Sequence, residues 1–322
     1  MTVLVTGGLG FVGSHFVWAA ADAGLRVVVL DDQSAAGRPR LPDAVEVVVG
    51  CVGDAERVAD LLARHRPEAI VHFAGKIEVG ESVRNPGLYF DVNFVRALRL
   101  LDAAVAAGVE SFVFSSTAAV YGEPRAVPIP ETARTEPINP YGASKLAFEH
   151  ALAGYSAAHG LRWCAPRYFN AAGARPDGTL VEAHDPETHL IPLVVDAGLG
   201  RRGPISIFGD DYDTPDGTCI RDYVHVCDLA DAHLRALERL AAGETIGPVN
   251  LGTGRGSSVR EVIDAAGDVL GAPVPHGVAA RRAGDPTALV ADARAAAERL
   301  GWRPRRSDLA TIVEDAVRSR RN

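Results

Sequence analysis

Tyr141 and Lys145 stand four residues apart in the segment Asn139-Pro140-Tyr141-Gly142-Ala143-Ser144-Lys145. Pro140 suits the first position of a helix. On a helix, a spacing of four puts the phenol and the ammonium on one face. A phenol titrates near ~10 and is a poor base at neutral pH. A neighbouring cation favours the phenolate and lowers that value. Such a pair can take a proton from a substrate hydroxyl while the same carbon gives up a hydride. Taken alone, it is also an ordinary surface pair. Ser115-Ser116-Thr117 adds hydroxyls at the end of an apolar run. That is where an open α/β sheet presents groups to its ligand. Thr117 is the hydroxyl placed to share a hydrogen bond with a substrate oxygen.

Hydride chemistry needs an acceptor, and the first loop has the form of one that holds it. Thr6-Gly7-Gly8-Leu9-Gly10-Phe11-Val12-Gly13 carries glycines at 7, 10 and 13, a G-x-x-G-x-x-G pattern between a strand and a helix. Glycine lets the backbone turn tightly and approach a pyrophosphate, while the helix N-terminus offers N–H groups and a positive dipole end. The second strand ends at Asp31, followed by Asp32. A carboxylate there accepts the adenosine ribose hydroxyls and repels a 2′-phosphate. Arg38 and Arg40 come only several residues later. The reading is NAD rather than NADP; its bland alternative is that Asp31 is merely a turn carboxylate.

The elements that must position these groups alternate. Val3–Val5, Arg26–Leu30, Val45–Val49, Ala69–Phe73 and Ser111–Phe114 are short apolar runs that read as strands. Helices are expected at about 11–23, 54–65, 86–107 and 140–159. This pattern predicts an α/β fold, a Rossmann-type doubly wound parallel sheet with helices on both faces. After about residue 166 the rhythm loosens. Segment 171–221 reads as long loops with a helix near 190–200 and a strand at Ile205–Phe208. A strand and helix follow at 223–241, a strand ends near Asn250-Leu251, and helices are expected at 258–270, 292–300 and 307–319. The division expected is a dinucleotide domain over 1–170 and a smaller, interleaved substrate domain over 171–322, with 222–250 packing back on the first.

The balance of 33 Lys and Arg against 41 Asp and Glu gives a net charge of −8. That argues against nucleic acid as a partner, which requires a basic face. Cys51, Cys164, Cys219 and Cys227 form no CxxC pair, and no Cys/His spacing reads as a zinc site. They are expected to be free buried thiols, and no metal is expected. No apolar run is long enough for a membrane span and no leader is visible at the N-terminus, so a cytoplasmic location is expected. Arginines at 303, 305, 306, 318, 320 and 321 read as a solvated last helix.

With these residues in view, the chain resembles the extended short-chain dehydrogenase/reductase family. The match runs over nearly its whole length. The first loop and the Tyr/Lys pair are common to that superfamily. His72-Phe73-Ala74-Gly75, Val79-Gly80-Glu81-Ser82, Phe114 through Gly122, Arg167-Tyr168-Phe169-Asn170, Arg221 through Val226 and Asn250-Leu251-Gly252 narrow the resemblance to the nucleotide-sugar 4-epimerases. The resemblance implies inversion of C4 of a UDP-hexose, UDP-glucose or UDP-galactose, through a 4-ketose with NAD as the resident cofactor. It implies cofactor contacts from Gly7, Gly10, Phe11, Val12, Gly13, Asp31, Asp32, Phe73, Ala74, Gly75, Lys145 and Phe169. It implies substrate contacts from Thr117, Tyr141, Asn170, His189, Leu190, Ser206, Ile207 and Phe208. Arg221 and Arg282 would clamp the diphosphate, where a guanidinium fork matches a phosphate, and Asp285 would bond the uridine ribose. Relatives also imply a homodimer through helices 86–107 and 140–159.

Four positions depart from that pattern. Cys51 stands where many members carry an Asp that bonds the adenine, leaving the backbone of Val52 to do so. Val92 stands where Asn is common, with Asn93 following, and Ile77 replaces a Lys found in some members. Leu289 stands where side-chain size sets the room around C2 of the sugar. UDP-N-acetylglucosamine and UDP-glucuronate therefore stay open as substrates. A dehydratase or reductase is a further alternative, although Ala118 and Ala119 cannot supply the extra acid pair a dehydratase uses. The last is a non-catalytic NAD-binding module.

Overall fold

The computed structural model describes residues 1–321 except 35, 36, 38, 181 and 283–285. Arg38 and Asp285 therefore lie outside the described residues. The chain runs β1 (Thr2–Thr6), α1 (Phe11–Asp22), β2 (Arg26–Asp31), β3 (Glu46–Val49), α2 (Ala55–His65) and β4 (Ala69–His72). It continues through α3 (Val79–Arg84), α4 (Pro86–Phe90), a π-helical turn (Asp91–Arg96) and α5 (Ala97–Ala106). Then come β5 (Ser111–Phe114), β6 (Ser116–Thr117), a 3₁₀ turn (Ala118–Tyr121), α6 (Pro140–His159), β7 (Arg162–Tyr168) and β8 (Asn170–Ala172).

The main sheet is parallel, in the order β12-β7-β5-β4-β1-β2-β3, where β12 is Gly247–Leu251; β6 also pairs with β7. Side chains along a strand alternate between faces, and β1 shows the result. Val3 and Val5 enter a core shared with α1, with Leu229 and Leu237, and with Trp302. Leu4 enters the opposite core with Leu61, Leu100, Phe112 and Phe148. Burial on both faces is why these strands are continuously apolar. β3, at the edge, keeps Val47 and Val49 exposed.

Beyond β8 lie α7 (Leu190–Gly198), β9 (Ile205–Phe208), β10 (Ile220–Arg221), β11 (Tyr223–His225) and α8 (Val226–Ala241). After β12 follow β13 (Ser257–Ser258), α9 (Val259–Leu270), β14 (His276–Ala279), β15 (Ala288–Leu289), α10 (Arg294–Arg299) and α11 (Leu309–Arg321). A separate core joins α7, α9 and α11 through Val194, Val195, Ile263, Ile312 and Val313.

Three departures from the sequence reading matter. β7 was not expected, because Pro166 and Arg167 interrupt its apolar run; Arg167 is nevertheless buried there on Glu149. The expected helix 86–107 is divided into α4, a π turn and α5. The C-terminal arginines are not simply solvated. Arg306 and Arg318 pair with Asp315 at 2.7 and 3.1 Å, and Arg320 with Asp196 at 2.9 Å. Of the four free cysteines, Cys164 is buried and the others partly so. Among the described residues, no helix is long and apolar enough to cross a membrane.

Candidate active site

The first loop is shaped as a backbone cradle. Gly7 has φ +72°, and a Cβ there would come 2.4 Å from the Ala74 nitrogen; at Gly13 it would come 2.2 Å from the Gly7 carbonyl. Gly10 caps α1 with no side-chain hydrogen bond. Phe11 and Val12 open that helix, so its N-terminal N–H groups are not covered by a capping side chain. This arrangement fits a pyrophosphate. Asp31, buried at the end of β2, accepts from Leu9 N at 2.9 Å and from Gln33 N at 2.8 Å. Burial raises its pKa most, and the Asp32 charge adds to that; the two backbone donors oppose it. The carboxylate is thus fixed by the glycine loop itself. Asp32 is exposed and accepts from Ser34 N. These residues fit a dinucleotide whose ribose meets Asp31.

At the expected adenine end, the Cys51 sulfur accepts from Gly53 N and Arg96 Nη1, both at 3.4 Å, and Val52 is buried beside it. On the other side, Phe73 packs against Phe16 and His233, and Ala74 N bonds the Thr6 carbonyl at 3.0 Å. Gly75 is pinched: a Cβ would come 2.9 Å from Asn93 Oδ1 and 3.4 Å from Lys145 Nζ.

Asn93 is a residue the sequence reading passed over in favour of Val92. The π turn directs it inward, where Oδ1 accepts from Lys76 N at 2.7 Å and Nδ2 donates to the Lys76 carbonyl and Ser144 Oγ. One amide therefore ties the loop after β4 to α6. No local sequence signal marks a π turn, so the inward placing of Asn93 was not legible.

α6 starts where expected. Asn139 caps it by accepting from Gly142 N at 2.9 Å, and Pro140 takes the first turn. Tyr141 and Lys145 then project toward the ends of β5 and β6. Thr117 hydrogen-bonds the Tyr141 phenol and also accepts from Ala119 N at 3.1 Å. Lys145 is buried; Nζ donates to the Ser115 carbonyl at 3.0 Å and lies 4.8 Å over the Phe114 ring. Burial pushes its pKa down to about 8. The expectation that the cation sets the phenol low is corrected here. The Tyr141 pKa stands above the usual phenol value because burial dominates, and only the Thr117 bond opposes it.

Five further residues complete the floor. Tyr168, at the end of β7, hydrogen-bonds Ser115 Oγ, and its phenol is raised chiefly by burial. Beneath it, Glu149 accepts from Ser116 and from Arg167 Nε at 2.9 Å, while Arg167 Nη1 reaches the Tyr121 hydroxyl at 2.9 Å. Tyr121 donates in turn to Asn250 Oδ1 at 2.7 Å. Glu149 follows Lys145 by four residues on α6, a spacing that marks it as sharing the Lys145 face.

The expected substrate residues, with Phe169 of the expected cofactor set, lie on several elements. Phe169 and Leu289 share a small apolar cluster with Val120 and Tyr121. Asn170 Nδ2 donates to the Asp222 carbonyl at 3.2 Å. Arg221 pairs in register with Leu289, and its Nη1 donates to the carbonyls of Ile220 and Pro286. Arg282 lies 3.8 Å above the Phe208 ring. Ser206 is exposed on β9, but Ile207 turns its side chain into the core and can offer only backbone. His189 caps α7 and its Nδ1 lies 2.8 Å from Glu187 Oε1, while Leu190 packs on the core behind it.

The sequence profile described as the NAD dependent epimerase/dehydratase family matches residues 3–252. A UDP-glucose 4-epimerase of Azospirillum brasilense is 52% identical, with 98% of this chain and 90% of that protein covered. The crystal structure of UDP-glucose 4-epimerase from Brucella ovis in complex with NAD superposes with a TM-score of 0.94 at 47% identity, covering 98% of this chain and 97% of the other. That of Bifidobacterium longum in complex with NAD+ and UDP gives 0.92 at 35% identity, over 100% and 98%.

Proposed function

The chain belongs to the NAD dependent epimerase/dehydratase family, and from that premise we propose that it interconverts UDP-glucose and UDP-galactose by inverting C4. The observation that carries this reading is the Tyr141 phenol, bonded to Thr117 at the strand ends and one helical turn from the buried Lys145 ammonium. Bound NAD supplies the acceptor, and on return the donor, of the C4 hydride.

The rest is done by the chain. Gly7, Gly10 and Gly13 with the start of α1 would hold the pyrophosphate, and Asp31 the adenosine ribose. Gly75 and Lys145, with Asn93 behind them, would face the nicotinamide ribose, and Phe169 would pack near the nicotinamide. The Tyr141 phenolate takes the proton of the 4-hydroxyl, and Thr117 holds the same oxygen. When the ketone is reduced, Tyr141 returns the proton. The Thr117 bond favours the phenolate that burial disfavours, and Lys145 would hold the nicotinamide ribose. Between the two half-reactions the 4-ketose must present its other face. Binding energy therefore belongs away from the ring: Arg221 and Arg282 anchor the diphosphate, and Asn170, Leu190, Ser206 and Phe208 the uridine side. Leu289, in register with Arg221, sets the room near C2.

We propose in addition a homodimer that covers Val83, Phe90 and Val95, all exposed along 79–96. A cytoplasmic setting, a role in galactose metabolism and a division near residue 170, with 222–250 packed on the first unit, complete the reading. The test is incubation with UDP-galactose and no added NAD, with UDP-glucose followed by anion-exchange chromatography. Conversion supports the proposal. No conversion after NAD is added, with UDP-N-acetylglucosamine and UDP-glucuronate equally inert, would leave a binding module and overturn it.

A further inference from the structure

The loop between β8 and α7 repeats a short pattern: Glu182-Ala183-His184 and Glu187-Thr188-His189. In each half the glutamate meets the histidine two residues on. Glu182 hydrogen-bonds His184 Nδ1, and Glu187 Oε1 lies 2.8 Å from His189 Nδ1. The halves face one another, with the imidazole centroids 5.1 Å apart, and one ligand atom from each of the four residues falls within 4.8 Å of all the others. A tetrahedral cation with bonds of about 2.0–2.2 Å holds its ligands roughly 3.3–3.6 Å apart. The cluster is somewhat wider than that, and small side-chain turns would close it.

Charge points the same way. Arg320 pairs with Asp196 at 2.9 Å and Glu187 at 3.6 Å, and donates to the Glu182 main-chain carbonyl at 3.1 Å. Two carboxylates thus share one guanidinium, and the Glu182 carboxylate is left to His184. Glu187 Oε2 is buried with no hydrogen-bond partner, its nearest cation being the same Arg320 at 3.6 Å. A buried carboxylate oxygen without a donor is costly. Cys/His spacing does not reveal this group, because half of its ligands are carboxylates.

We propose that Glu182, His184, Glu187 and His189 bind one divalent transition-metal ion that staples this loop to the start of α7. Two imidazoles with two carboxylates suit zinc and its neighbours better than magnesium or calcium, which prefer all-oxygen shells. The ion closes the loop whose far end presents Leu190 to the uridine side of the site, while His189 serves the ion. Its role is structural, and no step of the C4 chemistry passes through it.

The experiment uses the full chain, stripped with a chelator and returned to metal-free buffer. Zn²⁺ is titrated by calorimetry, and Co²⁺ by its visible absorption. The proposal expects saturation at about one equivalent per chain, a Co²⁺ spectrum unlike that of the aqueous ion, and a melting temperature raised by Zn²⁺. His184→Gln should lose the stoichiometric binding. Equal binding by wild type and His184→Gln overturns the proposal. If that variant does not fold, the wild type decides: a Co²⁺ spectrum unchanged from the aqueous ion means that the pairs are ordinary imidazolium–carboxylate bridges. None of these readouts depends on turnover, so failure here and failure of the epimerase reading are distinguishable.

Discussion

Lys145 donates to the Ser115 carbonyl at 3.0 Å, so the ammonium is fastened to the very strand end that carries Thr117. A charge held this deep disfavours the fold, and burial has lowered its pKa to about 8. In the unfolded chain the group titrates near ~10.4. Below about pH 8 both states hold the proton and the burial penalty is complete. Between there and pH ~10.4 the folded state sheds it first, so stability rises with pH. Lys145→Met should therefore melt higher than wild type at pH 7, by on the order of 1–3 kcal/mol, while losing turnover. A lower melting temperature at pH 7 would contradict this trade of stability for function.

Acid should act through buried imidazoles. Burial lowers His15 and His233 to about 4 and His72, aided by the Lys145 charge, to about 3. Each has a folded value below the ordinary one, so their stability contribution is complete above pH ~6.5 and is lost as pH falls toward the folded values. The cost is about 2 kcal/mol each near pH 5. Urea unfolding midpoints should hold between pH 8 and 7 and drop steeply between pH 6 and 5. A flat profile down to pH 5 would refute it.

Gly7→Ala should fold poorly around its first loop and hold no NAD. Its positive φ costs about 1–2 kcal/mol for any side chain, and the new Cβ would meet the backbone of Ala74 rather than a movable side chain. The absorbance of released nucleotide after denaturation is the check. Retention of a full equivalent would contradict the cradle.

Arg167→Met leaves Glu149 as an unpaired buried charge, and should cost about 3–5 kcal/mol. Replacing both, as Glu149→Leu with Arg167→Met, should recover most of that. Urea midpoints of the two variants separate a charge effect from a packing one. Equal losses would show that shape, not charge, matters there.

What could be read from sequence divides along the chain. The glycine loop, Asp31, Tyr141 and Lys145 were legible because each sits at a fixed offset from an element boundary. β1, β2, β4 and β5 were legible because burial on both faces makes them uniformly apolar. β7 was not, because its Arg167 is paid for by Glu149 eighteen residues earlier, a partner that no local window sees. Asn93 was hidden by a π turn, and Ile207 by the alternation of a short strand whose inward face could not be assigned in advance. The Glu182–His189 cluster was hidden because it depends on how a loop folds upon itself. The role of the substrate-side residues rests on the resemblance: Asn170 bonds the Asp222 carbonyl and Arg221 those of Ile220 and Pro286, contacts that name no ligand.

The central claim is that Tyr141 moves the proton at C4. Tyr141→Phe removes that hydroxyl and little else, so it tests the claim most directly. The variant should retain bound NAD and bind UDP-galactose, while its conversion to UDP-glucose falls by about 10²–10⁴-fold. Near-wild-type conversion by Tyr141→Phe would contradict the account.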